Sequence, residues 1–212
     1  MTNKGISKQT IERLMLYANY LRSLPNDGPA TISATIIAEQ LGLNQVVVRK
    51  DLAEVSDGGR PKIGYITSHL LADIEHALGY DNVNSAVLVG AGNLGRALMS
   101  YDGFKNYGVE IVLALDSNPR LAGKTFGNVT VMPMDKLENL LDRMKLHIGI
   151  ITVPANAAQA VCDRLTACGI KAIWNFAPTQ LLVPADTMVR NENMAVSLSM
   201  LSQHLAATME TV

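Results

Sequence analysis

Residues 86–98 read Ala-Val-Leu-Val-Gly-Ala-Gly-Asn-Leu-Gly-Arg-Ala-Leu: an apolar β-rich run, a glycine triplet, then the start of a helical pattern. Gly90, Gly92 and Gly95 form G-x-G-x-x-G. Between a strand and a helix each glycine has a task. Gly90 makes the tight turn, Gly92 lets backbone N–H groups approach a pyrophosphate, and Gly95 lets helix and strand pack closely. Ala91, Asn93 and Leu94 complete the cradle, and the helix N-terminus adds partial positive charge aimed at phosphate. A carboxylate is expected about 20 residues further on, at the end of the second strand. Asp116 stands there, closing Glu110-Ile-Val-Leu-Ala-Leu-Asp116. It would accept hydrogen bonds from the adenosine ribose and repel a 2′-phosphate, which favours NADH/NAD+ over the phosphorylated forms.

Outward from this cradle, residues 85–190 alternate strands and helices. Strands are predicted near Ala86–Gly90, Glu110–Leu115, Val129–Met132, His147–Val153, Lys171–Asn175 and Thr187–Arg190. Helices are predicted near Asn93–Tyr101, Met134–Met144 and Asn156–Cys168. The alternation implies βαβ units and a parallel sheet covered on both faces, a Rossmann dinucleotide-binding domain. Ligands in such sheets sit at the carboxyl ends of strands. Thr152-Val153-Pro154 and Asn175-Phe176-Ala177-Pro178 fall there, with the Asn175 amide expected to meet a nicotinamide. Tyr101 is a further candidate, although a packed tyrosine is the simpler reading.

Residues 1–80 differ, showing four helical patterns with short turns. Ser7, Ser33 and Asn44 are expected N-caps. Ile11, Leu14, Met15, Ala18 and Leu21 form one apolar face of the first helix, and Ile36, Ile37 and Leu41 that of the second, which Gly42 closes in a left-handed conformation. Ala38 and Gly42 sit where a helix-turn-helix needs a small residue and a turn glycine, so Gln45–Glu54 becomes the recognition helix. Its outward residues would include Gln45, Arg49 and Lys50, with Arg49 suited to guanine and Lys50 to phosphate. Ser56–Lys62, leading into Ile63-Gly-Tyr-Ile66, reads as a hairpin or wing carrying Arg60 and Lys62 for a minor groove. Thr67 or Ser68 is expected to cap the fourth helix. The DNA surface is a cluster of Lys4, Lys8, Arg49, Lys50, Arg60 and Lys62 rather than a basic domain, because residues 1–80 hold eight Lys+Arg against eight Asp+Glu. Asp51, Glu54 and Asp57 lie beside it in sequence.

Composition limits the remaining classes. The 212 residues carry 18 Lys+Arg and 19 Asp+Glu, which excludes a basic nucleic-acid sponge. The longest apolar run, Ile111–Leu115, is far short of the ~20 residues of a membrane helix. The polar opening stretch carries no secretory signal pattern. A cytoplasmic protein is expected, and two cysteines make neither a disulfide framework nor a metal site. None of the four histidines falls at the ligand ends of the strands, so turnover of the nucleotide is not expected. The alternatives are a small NAD(H)-dependent oxidoreductase and a CoA-binding Rossmann protein.

Together, Val48-Arg-Lys-Asp-Leu52, Ile63-Gly-Tyr65, Gly90-Ala-Gly-Asn-Leu-Gly95, Leu98-x-x-Tyr101, Thr152-Val-Pro154 and Gly169-Ile-Lys-x-Ile173-x-Asn-Phe-Ala-Pro178 resemble the Rex redox-sensing transcriptional repressors. The resemblance implies a winged-helix DNA-binding domain (1–80), a Rossmann NAD(H)-binding domain (81–192) and a C-terminal dimerisation helix (193–212) exchanged between subunits. It also implies a homodimer on pseudo-palindromic double-stranded operator DNA, released by NADH. Two departures stand out. The family's aromatic-glycine and Arg-Gly pairs are replaced in Glu54–Lys62, and its Asp-Phe before the last helix is Asn193-Met194. That helix, near Ala195–Thr208, carries an apolar seam of Met194, Leu198, Leu201, Leu205 and Thr208/Met209.

Overall fold

The computed structural model describes residues 6–25, 27–80 and 84–209; Lys4 lies outside them. The chain divides into two compact units, 1–82 and 83–212.

The first unit runs α1 (Lys8–Ser23), β1 (Thr31–Ile32), α2 (Ala34–Leu41), α3 (Gln45–Val55), β2 (Tyr65–Ile66) and α4 (Thr67–Ala77). Ser7 accepts from the Thr10 N–H, Ser33 from Ile36 and Asn44 from Val46, so all three N-caps form as the sequence suggests. Gly42 ends α2 at φ 64°. The core joins Leu14, Tyr17 and Ala18 of α1 to Ile37 and Ala38 of α2, Val48 and Leu52 of α3, and Leu70 and Ile74 of α4. Each fully buried Leu or Ile contributes about 1.5–3 kcal/mol.

Four expectations are corrected. The buried face of α1 is Thr10, Leu14, Tyr17, Ala18 and Leu21, while Met15 is exposed, because Tyr17 fills the position facing α3. Ile36 of α2 is likewise exposed. The hairpin expected within residues 56–66 shrinks to one antiparallel turn, with Arg60 and Gly64 exchanging N–H···O bonds at 2.9 Å. Gly58, Gly59 and Pro61 leave no further run able to pair, and a single bridge joins Arg60 to Gly64 around Lys62, which takes φ 66°. Tyr65–Ile66 instead pairs antiparallel with Thr31–Ile32. Thr67 does not cap α4: its hydroxyl donates to the Pro29 carbonyl at 2.6 Å and its N–H to Ala30 at 3.0 Å, tying α4 to the approach of β1.

The second unit contains β3 (Asn84–Val89), α5 (Asn93–Met99), β4 (Val109–Asp116), β5 (Thr125–Phe126), β6 (Val129–Pro133), α6 (Leu137–Met144), β7 (Ile148–Ile151), α7 (Ala155–Ala167), β8 (Ala172–Asn175), β9 (Met188–Asn191) and α8 (Met194–Met209). The sheet order is β5-β6-β4-β3-β7-β8-β9, parallel except for the short edge strand β5. Alternation along β3 assigns its faces. Val87 and Val89 pack with Leu137, Leu141, Cys162 and Leu165 of α6 and α7, and Ala86 and Leu88 pack with Met99, Ala114 and Ile150 on the other side. Chain order reverses at β3, with β4 on one side and β7 on the other, so a crevice opens at the carboxyl ends of these strands. Two short elements were not foreseen: β5, and a 3₁₀ helix over Asp102–Tyr107. No described helix is long and apolar enough to cross a membrane.

Candidate functional sites

The glycine loop between β3 and α5 is set by contacts that a side chain would break. Gly90 lies at φ 105°, and a Cβ there would meet the Thr152 carbonyl oxygen at 2.7 Å. A Cβ on Gly95 would meet the Gly90 carbonyl oxygen at 2.0 Å. Gly92 is different, because its φ is −69° and a Cβ there would touch nothing within 4 Å. Neither backbone strain nor crowding requires glycine at Gly92. A Cβ there would occupy the open space beside the loop that a pyrophosphate needs. Gly92 also caps α5 without a side-chain bond, leaving the Asn93, Leu94 and Gly95 end of the helix open.

Neighbouring strands hold the loop from both sides. The Thr152 hydroxyl donates to the Gly90 carbonyl at 2.6 Å, and Gly90 N–H donates to Leu115 at 2.8 Å. The Asp116 carboxylate accepts from the Ala91 N–H at 2.6 Å and from Asn118 at 2.7 Å. Arg96 donates to the Ala91 carbonyl at 2.9 Å, with its guanidinium 4.9 Å from the Phe126 ring centroid.

A cleft of about 340 Å³ opens over this loop. It brings together Gly90, Gly92, Asp116, Thr152, Val153 and Pro154, as the sequence suggests, and adds Ser117, Met134, Ala157, Ala160, Val161 and Arg164. Arg164 is clamped flat, its Nε and Nη2 donating to the two carboxylate oxygens of Glu138 at 2.7 and 3.0 Å and Nη2 also to Met134 O at 2.9 Å. These bonds raise the Arg164 pKa and lower that of Glu138. Apolar walls, a carboxylate at the end of the second strand and glycine backbone are the contacts an adenosine diphosphate half requires, so the residues fit a dinucleotide.

The contacts expected from Tyr101 and from residues 175–178 are placed differently. Asn175 is fully buried: its amide nitrogen donates to Thr179 O and Asn191 Oδ1, both at 2.9 Å, and its oxygen accepts from Ala177 N at 3.0 Å. The side chain shapes the Phe176-Ala177-Pro178 loop and has no group to spare for a nicotinamide. Phe176, Ala177 and Pro178 do not line the cleft, and neither does Tyr101. Its ring stands edge-on to Phe104 at 4.9 Å, which meets Trp174 at 5.7 Å, which meets Phe176 at 4.4 Å. Tyr101 thus begins an aromatic ladder ending at the Asn175–Pro178 loop.

In the first unit, α3 buries Val48, Asp51 and Leu52 and exposes Gln45, Arg49 and Lys50. Asp51 does not neutralise that surface, because it points inward. Arg13 binds it through Nε at 2.6 Å and Nη2 at 2.8 Å, and the Tyr17 hydroxyl donates to it at 2.9 Å. The Asp51 bond holds the Arg13 guanidinium firmly charged, and burial pushes the Tyr17 phenol up. The Gln45 amide donates to Thr35 of α2. Lys8 opens α1 and is exposed, as are Arg60 and Lys62 at the bridged turn.

Comparison with known proteins supplies the family. Residues 81–179 match a model described as "CoA binding domain", and residues 5–53 one described as "Putative DNA-binding protein N-terminus". The redox-sensing transcriptional repressor Rex of Carboxydothermus hydrogenoformans is 42% identical over 93% of this chain and 95% of its own length. The chain belongs to the Rex family. Rex of Streptomyces avermitilis is 38% identical over 95% of this chain and 80% of its own. Among solved structures, the Rex-family repressor RSP in complex with β-NAD+ and operator DNA superposes with a TM-score of 0.89 at 34% identity, covering 97% of this chain and 95% of that one. RSP in complex with β-NADH gives 0.84, covering 97% of both chains.

The two departures from the Rex pattern have local explanations. Ser56 is buried, donates to Asp73 of α4 at 2.5 Å and accepts from the Gly58 N–H, which fixes the exit of α3. Asn193 accepts from the Val196 N–H at 3.1 Å, starting α8, and Met194 beside it is exposed.

Proposed function

We propose that this protein is a redox-sensing transcriptional repressor. It binds pseudo-palindromic operator DNA as a homodimer and leaves it when NADH fills the cleft. The observation that carries the reading is the pairing, on one chain, of an α3 face bearing Arg49 and Lys50 with a loop whose Gly92 leaves space for a pyrophosphate. The RSP complexes with operator DNA and with NADH support the same pairing.

This chain's residues divide the work. Gly90, Gly92 and Gly95 bring backbone N–H groups to the pyrophosphate, with Ala91, Asn93 and Leu94 completing the turn. Asp116 turns toward the ribose hydroxyls, and Val153, Pro154 and Met134 enclose the adenine side. Thr152 keeps the cradle closed. Phe176, Ala177 and Pro178 border the nicotinamide end, with Tyr101 and Asn175 supporting that border from behind. The cofactor supplies one variable, the nicotinamide charge, positive in NAD+ and neutral in NADH. A poorly hydrated apolar border favours the neutral form.

The ionisable groups lining the cleft are Asp116 and Arg164, both tied into hydrogen bonds. We read the nucleotide as sensed, not turned over, by a cytoplasmic protein without a metal. Among the described residues no cluster of His, Cys, Asp and Glu could hold one. Dimerisation is assigned to α8. Met194, Leu198, Leu201 and Leu205 form its expected seam, and Val196 and Met200 on the far side are exposed too, so the helix has apolar surface for partners on both sides. The side chains of Thr208 and Met209, expected to extend that seam, lie outside the described residues. The dimer provides the two-fold symmetry that a palindromic site requires.

Two variants separate the halves of this reading. Arg49→Ala should weaken operator binding by about 1–3 kcal/mol and relax sequence preference, as seen by fluorescence anisotropy against a panel of operator variants. A uniform loss across all duplexes would place Arg49 on phosphate instead. Asp116→Ala removes the acceptor for two loop N–H groups and the ribose. It should cost at least tenfold in NADH affinity, worth about 1.4 kcal/mol, while apo operator binding stays intact. Calorimetric titration with NADH, NAD+, NADPH and CoA reads this directly. Tighter CoA than NADH binding would favour the CoA-binding alternative suggested by the match at residues 81–179.

A further inference from the structure

The outward face of α3 is not uniformly cationic. Val46, in its first turn, is 72% exposed. Arg49, Lys50 and Ala53 follow at i+3, i+4 and i+7, which puts all four on one stripe with Val46 central. The opposite stripe is Val48, Asp51 and Leu52, all buried. The helix cannot easily roll to hide Val46. Asp51 is fixed by Arg13 and Tyr17, and Asn44 caps the helix through the Val46 N–H at 2.8 Å. The neighbouring polar side chain, Gln45, is turned away into a bond with Thr35 of α2. The first side chain that α3 presents outward is therefore a branched hydrocarbon flanked by two cations, with the small Ala53 one turn beyond them allowing close approach.

We propose that Val46 is a base-reading residue that packs against the C5-methyl group of a thymine in each operator half-site. This rests on the operator-binding reading and adds a chemical preference to it. In the major groove only thymine offers a methyl group, and the first residues of a recognition helix are those that reach base edges. Arg49 and Lys50 bring the polyanion to the valine. A free apolar surface gains little from a phosphate backbone, whereas a methyl group at the groove floor removes the exposed valine from water.

The test uses the full chain and an operator obtained by selection from random duplexes. Each thymine is replaced in turn by deoxyuridine, which deletes only the methyl group, and affinity is read by fluorescence anisotropy. At one thymine per half-site the replacement should weaken wild-type binding about fourfold, the worth of one buried methyl group. The symmetric pair of replacements should multiply the two losses. Val46→Ala, which leaves an exposed helix position helical and alters both half-sites of the dimer, should bind the unmodified operator about as weakly as wild type binds the doubly replaced duplex, and should be indifferent to either replacement. Equal sensitivity of wild type and Val46→Ala at every thymine would overturn the assignment while leaving operator binding in place. If no selected duplex binds wild type at all, the operator-binding reading fails and the assignment with it.

Discussion

Gly95→Ala is expected to abolish the nucleotide response while leaving operator binding intact. The added Cβ would stand 2.0 Å from the Gly90 carbonyl oxygen and 3.1 Å from the Thr152 hydroxyl. The first contact is backbone to backbone, so either α5 moves away from β3 or the loop opens. Both displace the loop's backbone N–H groups from the place proposed for the pyrophosphate. A hydrogen bond to a charged group is worth about 1.5–3 kcal/mol, so losing two of them should lower NADH affinity by roughly 10²-fold or more. The single tryptophan, Trp174, packs on Phe176, the residue proposed to border the nicotinamide, and offers a direct readout. Energy transfer from Trp174 to reduced nicotinamide should saturate in wild type and be absent in Gly95→Ala at the same NADH concentration. A Gly95→Ala protein that binds NADH normally would show that the loop tolerates the clash and that the close packing is not needed.

Asp51→Ala should cause the largest loss of stability in the first unit. Asp51 is 3% exposed and receives three hydrogen bonds, two from Arg13 and one from Tyr17. Deleting it leaves a partly buried guanidinium and a buried phenol without their acceptor, a loss of about 3 kcal/mol. Against a total stability of roughly 5–15 kcal/mol for a domain, that lowers the urea midpoint visibly. Arg13→Ala should approach the same loss, since it strands the carboxylate. If both variants unfold at the wild-type urea concentration, the triad is worth no more than a surface ion pair. The triad also sets an alkaline limit. Burial first, and then Asp51, raise the Tyr17 phenol above its ordinary value. The folded state therefore keeps a proton that the unfolded chain releases above about pH 10. The stabilisation is complete below that pH and is lost as pH rises further, so melting temperature should fall more steeply above pH 10 in wild type than in Tyr17→Phe.

Much of this architecture can be read from local chemistry. The three N-caps, the left-handed Gly42, the glycine triplet and Asp116 are legible because each obeys a rule spanning a few residues or one βαβ unit. What escaped the sequence is non-local. The pairing of Thr31–Ile32 with Tyr65–Ile66 joins two-residue strands more than 30 positions apart, too short to carry any period. Met134, Ala157, Ala160 and Arg164 enter the cleft because one face of α7 lies along the end of β6, with Arg164 in its last turn bonded to the Met134 carbonyl. No residue-level signature marks that. Asn175 was legible as a residue at the ligand end but not as a side chain already consumed by its own loop. Asp51 looked like a charge opposing DNA, and only its partner 38 residues away shows that it points inward.

In this mechanism reduced and oxidised nicotinamide act differently on DNA binding. A nucleotide binding both protein states equally shifts nothing, and a complete switch requires a preference of roughly 10⁴-fold for the DNA-free state. The most direct measurement is operator binding by gel shift or anisotropy during parallel titrations with NADH and NAD+ at equal concentrations. The account predicts release by NADH, with the complex surviving the same concentration of NAD+. Equal release by both, or an operator complex that persists at saturating NADH, would contradict it.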